Sequence, residues 1–160
     1  MKWVALFSQT GSELSQVIEL TNIRQDLILT NNKALDYKSH EEIEDLLMNM
    51  KPALITLHGY LRILSPEVCA RHRIINGHPA PIHLFPELKG KDPQIRTFNN
   101  YEIIGAVLHE VIPEVDEGEI IVYTQSSSLP NTLDELYSQL KNMSVMMWCN
   151  FLSNELRVLE

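Results

Sequence analysis

Cysteine is scarce. Cys69 and Cys149 are the only two in 160 residues. They supply neither a metal-ligand spacing nor a disulfide framework. Basic residues are also few: 13 Lys and Arg stand against 21 Asp and Glu, for a formal charge of −8. A nucleic-acid binder needs a basic face to displace counterions, so that class is disfavoured. No apolar run approaches the roughly 18 residues of a membrane span. The start, Met1-Lys2-Trp3-Val4, has one positive charge and a short apolar run, so no secretory leader is expected. What remains is a globular composition, 44% hydrophobic and 21% charged. One domain over residues 1–160, soluble and cytoplasmic, with no membrane or nucleic-acid partner, is the expectation.

Short apolar runs alternate with amphipathic stretches. Trp3 to Phe7 predicts a buried strand, closed by Ser8-Gln9-Thr10-Gly11-Ser12. Leu14, Val17 and Ile18 follow at helical spacing. Asp26 to Thr30 and Ala53 to Leu57 predict further strands. Between these two, Ser39 and Glu42 form a capping box for a helix that buries Ile43, Leu46 and Leu47. Ser65-Pro66-Glu67 starts a short helix, and Arg73 to Asn76 predicts a fourth strand. This rhythm implies parallel strands with helical crossovers, and strands apolar on both sides imply a sheet covered on both faces. The fold class is therefore α/β. Four of the eight prolines fall between Gly77 and Pro93, and periodicity stops there. Ile103 to Val111 and Ile120 to Thr124 predict two later strands. Thr132 and Glu135 cap a terminal helix. Thr10 and Glu13 also fit a capping box. The stretch Val145 to Leu152 is apolar on several faces, which leaves a buried helix and a homodimer contact both open.

Open parallel sheets bind ligands at the carboxyl ends of their strands. Asn76 ends a strand there, His78 follows, and Asp116 lies in the turn Pro113 to Gly118. An amide can donate to an oxygen gaining charge, an imidazole can move a proton near neutral pH, and a carboxylate can stabilise the imidazolium. His83 could suggest a metal, but no Cys or close carboxylate completes a tetrahedron, so no metal is expected. His40 reads as a solvated first-turn residue. His58 and His72 read as structural or surface.

The surroundings of this set carry a resemblance. Gly59-Tyr60-Leu61-Arg62-Ile63-Leu64 precedes Asn76-Gly77-His78-Pro79. Lys89-Gly90 and Pro93 follow, then Gly105 to His109, then Asp116-Glu117-Gly118-Glu119-Ile120-Ile121. The order resembles the folate-dependent formyltransferase family over about Val4 to Gln125. The resemblance implies an open Rossmann-like, mostly parallel sheet with helices on both faces. It implies transfer of a formyl group from 10-formyltetrahydrofolate, as co-substrate, to the primary amine of a small molecule. By that pattern Asn76 holds the oxyanion, His78 assists proton transfer and Asp116 orients His78. Arg62, Ile63 and Leu64 line the pterin slot. The Ile112 to Gly118 loop, with Glu114 and Val115, contacts the pterin. His109 matches a family position whose role could be structural alone.

The opening Val4 to Ser8 and the turn Gly11-Ser12 look most like the glycinamide ribonucleotide branch. That branch binds substrate phosphate through Gly-Ser-Asn, so Gly11, Ser12 and Glu13 are the expected substrate-binding residues here. Glu13 puts a carboxylate where phosphate would sit at a helix N-terminus. The expected acceptor is glycinamide ribonucleotide. The alternatives are a sugar nucleotide, water (a 10-formyltetrahydrofolate hydrolase), or no acceptor at all in a folate-binding module.

Overall fold

In a computed structural model, residues 1–157 are described, and they form a six-stranded sheet in the order β2-β1-β3-β4-β5-β6. The elements run β1 (Trp3–Phe7), α1 (Ser12–Thr21), β2 (Leu27–Thr30), α2 (His40–Asn49), β3 (Leu54–Leu57), α3 (Pro66–Arg71) and β4 (Ile74–His78). After a 3-10 turn at Pro86–Leu88 come α4 (Pro93–Thr97), β5 (Ile104–Glu110), β6 (Ile120–Ser126) and α5 (Leu133–Arg157). The first four strands are mutually parallel. β5 runs antiparallel to β4, and β6 antiparallel to β5. The sheet is thus mostly parallel, as the sequence predicts.

Both faces are covered because the strands are apolar on both sides. One face packs Trp3, Ala5, Ile75 and Leu108 against Leu14 and Val17 of α1 and Trp148 and Leu152 of α5. The other packs Val4, Leu6, Ile55 and Ile74 against Ile43 and Leu47 of α2 and Val68 of α3. The Ser39 capping box forms as predicted, with Ser39 Oγ accepting from Glu42 N and the Glu42 carboxylate accepting from Ser39 N.

Several expectations are corrected. The Thr10–Glu13 capping box does not form. Gly11, at φ 69°, starts α1 in the left-handed region that favours glycine, and Thr10 Oγ1 accepts from Ser12 N instead. β4 continues past Asn76 to His78, because β5 pairs with it antiparallel and matches His78 to Val107. α4, which begins where the proline-rich stretch ends, has too few periodic residues to be seen in sequence. His40 is buried rather than solvated. Its Nδ1 lies 2.7 Å from the Tyr60 hydroxyl and its Nε2 3.1 Å from Glu44 Oε1. At the terminal helix Thr132 Oγ1 accepts from Glu135 N, while Glu135 Oε2 reaches Asn131 N. Val145, Met147, Trp148, Phe151 and Leu152 are buried against the sheet, so most of that apolar stretch serves the core; Met146 faces outward.

Candidate active site

Strand alternation divides β4 into two working sides. Asn76 and His78 project with Ile74 toward the face that α2 and α3 cover, whereas Gly77 projects toward α5. Cross-strand pairing sets Asn76 beside His109 and His78 beside Val107. The loop between β5 and β6 then folds back over this end of the sheet. Its return depends on Gly118, where a Cβ would sit 1.7 Å from the Glu110 carbonyl oxygen. Asp116, held at φ 57°, is thereby aimed at both rings.

The resulting cluster is closely connected. Asp116 Oδ2 lies 3.6 Å from His78 Nδ1, and Asp116 Oδ1 lies 3.5 Å from His109 Nε2. Gly90 N donates to Asp116 Oδ2 at 2.8 Å. His78 Nε2–H donates to the Leu88 carbonyl at 2.9 Å, which fixes the tautomer and leaves Nδ1 as the basic atom. His109 Nδ1–H donates to the Glu110 carbonyl at 2.9 Å. Its Nε2 accepts from Asn76 Nδ2 at 3.2 Å, so one amide hydrogen of Asn76 is engaged and the other is free to donate.

Burial pushes the His78 imidazole below its ordinary value, against the opposing pull of Asp116 and the Leu88 carbonyl. Burial pushes the Asp116 carboxyl up, but the two histidine rings and the Gly90 N–H outweigh it and hold the group below the usual carboxylate range. The resting site is thus a neutral imidazole beside a carboxylate, poised to receive a proton at Nδ1.

Two residues outside the expected set shape this site. His109 touches both Asn76 and Asp116, where sequence allowed it a merely structural role. Arg96 wires the loop that holds His78: its guanidinium donates to the carbonyls of Glu87, Leu88, Lys89 and Lys91. Nothing in the sequence marks Arg96, since its partners are all backbone.

The residues expected at a pterin slot separate on inspection. Leu64 is 3% exposed and packs with Tyr60 and Val68. Ile63 is 66% exposed beside exposed Leu61, and Arg62 is exposed with a loose pairing to Glu41 at 3.7 Å. Ile112, Glu114 and Val115 are exposed on the β5–β6 loop, while Gly118 is buried by its approach to β5.

Gly11, Ser12 and Glu13 line a cleft of about 380 Å³ on the α1 and α5 side, together with His58, Gly77 and Lys141. The three expected substrate-binding residues therefore share one cleft, separated from Asn76 and His78 only by the thickness of β4.

The family model for formyl transferase matches residues 2–149. This chain belongs to that family. Phosphoribosylglycinamide formyltransferase of Haemophilus influenzae is 26% identical over 129 residues, covering 79% of this chain and 60% of the relative. Formyltetrahydrofolate deformylase of Escherichia coli K12 is 32% identical over 114 residues, covering 68% of this chain and 39% of the relative. The chain thus spans 60% of the first of these proteins and 39% of the second. Among solved structures, phosphoribosylglycinamide formyltransferase of Streptococcus pneumoniae superposes with a TM-score of 0.81 at 20% identity, covering 96% of this chain and 97% of that one. This formyl transferase chain shares the fold of that structure and, through it, the open α/β sheet read from its sequence.

Proposed function

We propose that this chain transfers a formyl group from 10-formyltetrahydrofolate to the primary amine of a small acceptor. The observation that carries the reading is the convergence of Asn76, His78 and Asp116 at one strand end, with His78 Nδ1 3.6 Å from Asp116 Oδ2. The folate supplies the formyl carbon that the amine attacks. The free Asn76 amide hydrogen donates to the formyl oxygen as it gains negative charge. His78 takes the amine proton at Nδ1 as the carbon–nitrogen bond forms. Asp116 stabilises the imidazolium that results, and the Leu88 carbonyl holds the other ring nitrogen. The proton then passes to the departing folate nitrogen, which returns His78 to its neutral state. His109 positions the Asn76 amide and Arg96 positions the loop under His78.

For the folate, exposed Arg62 and Ile63 on one side and Ile112, Glu114, Val115 and the Gly118 backbone on the other are the proposed contacts. For the acceptor, the cleft at Gly11, Ser12 and Glu13 is the proposed site, and glycinamide ribonucleotide is the first acceptor to test. Lys141 Nζ, 2.9 Å from Ser12 Oγ, supplies a cation at the mouth of that cleft. Glu13 lines the same cleft, with its Oε1 3.6 Å from His58 Nδ1.

Hydrolysis is the second reading, favoured by the 32% identity to a deformylase. Incubating the protein with 10-formyltetrahydrofolate, with and without glycinamide ribonucleotide, separates the two. Formyl loss that needs the amine supports transfer. Formate released without amine supports hydrolysis, and an intact donor under both conditions contradicts hydrolysis and excludes glycinamide ribonucleotide as the acceptor.

A further inference from the structure

The cleft beside α1 contains polar groups that the chemistry at Asn76, His78 and Asp116 leaves unused. Its floor is His58, the residue after β3. Leu57 pairs with Asn76, so His58 lies alongside Gly77. The His58 side chain is wholly buried, and its ring lies 4.4 Å from that of Trp148, centroid to centroid. A relay sets its tautomer. Trp3 Nε1–H donates to Thr56 Oγ1 at 2.7 Å, and the buried Thr56 hydroxyl then has its own proton to place. His58 Nε2, 2.8 Å away, accepts it. The proton of the neutral ring therefore sits on Nδ1.

That Nδ1–H has no hydrogen-bond partner among the described residues. It faces Glu13 Oε1 at 3.6 Å, beyond hydrogen-bond reach. Buried donors are rarely left so. Glu13 arrives here because the left-handed Gly11 starts α1 one residue later than the sequence implies, which turns position 13 inward. A donor and an acceptor thus lie side by side in a cleft. A carbonyl cannot donate to Glu13, and an ammonium cannot accept from His58. A hydroxyl oxygen about 2.8 Å from each does both through one atom. At the mouth of the same cleft, Lys141 and Ser12 stand by the N-terminus of the ten-residue α1, where an anionic group is favoured.

We propose that Glu13 and His58 are specificity-determining residues that together read a hydroxyl group on the acceptor. This rests on the acceptor cleft proposed above but concerns binding alone.

The test uses the whole chain labelled with ¹⁵N-histidine, titrated separately with D-ribose 5-phosphate and with inorganic phosphate. The free protein is expected to show His58 with its proton on Nδ1. Ribose 5-phosphate is expected to shift that resonance saturably, and inorganic phosphate to leave it in place. Glu13→Ala and His58→Ala are each expected to weaken ribose 5-phosphate binding about tenfold, the usual loss when one partner of a buried hydrogen bond is removed. Glu13 lies on a partly exposed helix position where Ala favours the helix, so that variant remains informative if His58→Ala fails to fold. Equal shifts with both ligands, no saturable binding of ribose 5-phosphate, or unchanged affinity in Glu13→Ala would overturn the proposal. Formyl transfer is not read in this experiment. A protein that binds ribose 5-phosphate through His58 yet leaves 10-formyltetrahydrofolate intact would refute the transfer reading and leave this one standing.

Discussion

Asp116→Asn is the substitution that separates charge from shape in the cluster. Asn keeps the volume and still presents an oxygen to Gly90 N, so the β5–β6 loop keeps its anchor. What disappears is the negative charge 3.6 Å from His78 Nδ1. Both side chains are less than a tenth exposed, so solvent screens the pair little. At an effective dielectric near 20, two unit charges at that separation attract by about 4.6 kcal/mol, and each ~1.36 kcal/mol is tenfold in rate. The charge is needed only when His78 carries the transferred proton, so the loss falls on the transition state. Side-chain relaxation takes part of it back, and kcat/KM is expected to fall by about 10²- to 10³-fold. The assay follows formyl loss by absorbance at saturating donor, with the melting temperature and folate affinity measured alongside. A variant that turns over at the wild-type rate would refute the role given to Asp116. A fall in rate matched by a fall in melting temperature would instead mean that Asp116 serves the fold.

Other expectations follow from the same geometry. Asn76→Ala is expected to lower kcat by about 10²- to 10³-fold with folate affinity kept, since it removes a donor aimed at the developing oxyanion. A fall in donor affinity alone would contradict that. With His78 depressed below 6.5, its neutral form persists below that pH, so the acid limb of kcat/KM is expected under pH 6.5. Asp116→Asn is expected to move the limb lower still, because Asp116 raises the His78 value; a limb above 6.5 would contradict the assignment. Stability follows the same sign. Both His78 and Asp116 have depressed folded-state values, so their contribution is present above the unfolded values of 6.5 and 3.8 and is lost as the pH falls through the folded ones. Acid titration of the folded chain followed by circular dichroism checks this. Gly118→Ala is expected to displace the β5–β6 loop and cost about 1–3 kcal/mol, because its Cβ would collide with the Glu110 carbonyl. Unchanged melting and activity would refute the close approach.

The parts of this architecture that local chemistry dictates were legible in sequence. Five-residue apolar runs closed by turn residues, such as Trp3–Phe7, read as strands buried on both sides, and Ser39 with Glu42 announces a helix by its own hydrogen bonds. Asn76, His78 and Asp116 were legible as chemical types at a strand end, and the structure brings all three together. What sequence could not show depends on long-range pairing. β4 reaches His78 only because β5 pairs antiparallel with it. His109 becomes part of the site only through its register with Asn76. Arg96 binds carbonyl groups, which leave no trace in side-chain spacing. The Thr10–Glu13 capping box failed because Gly11 adopted a left-handed φ and shifted the helix start.

The most direct test of formyl transfer is to follow the carbon itself. The protein is incubated with 10-formyltetrahydrofolate labelled in the formyl carbon and with glycinamide ribonucleotide, and the products are separated. The account predicts label in an amide on the acceptor, with none transferred by His78→Ala. Label that remains on the folate in the wild-type reaction, or that appears only as free formate, would contradict it.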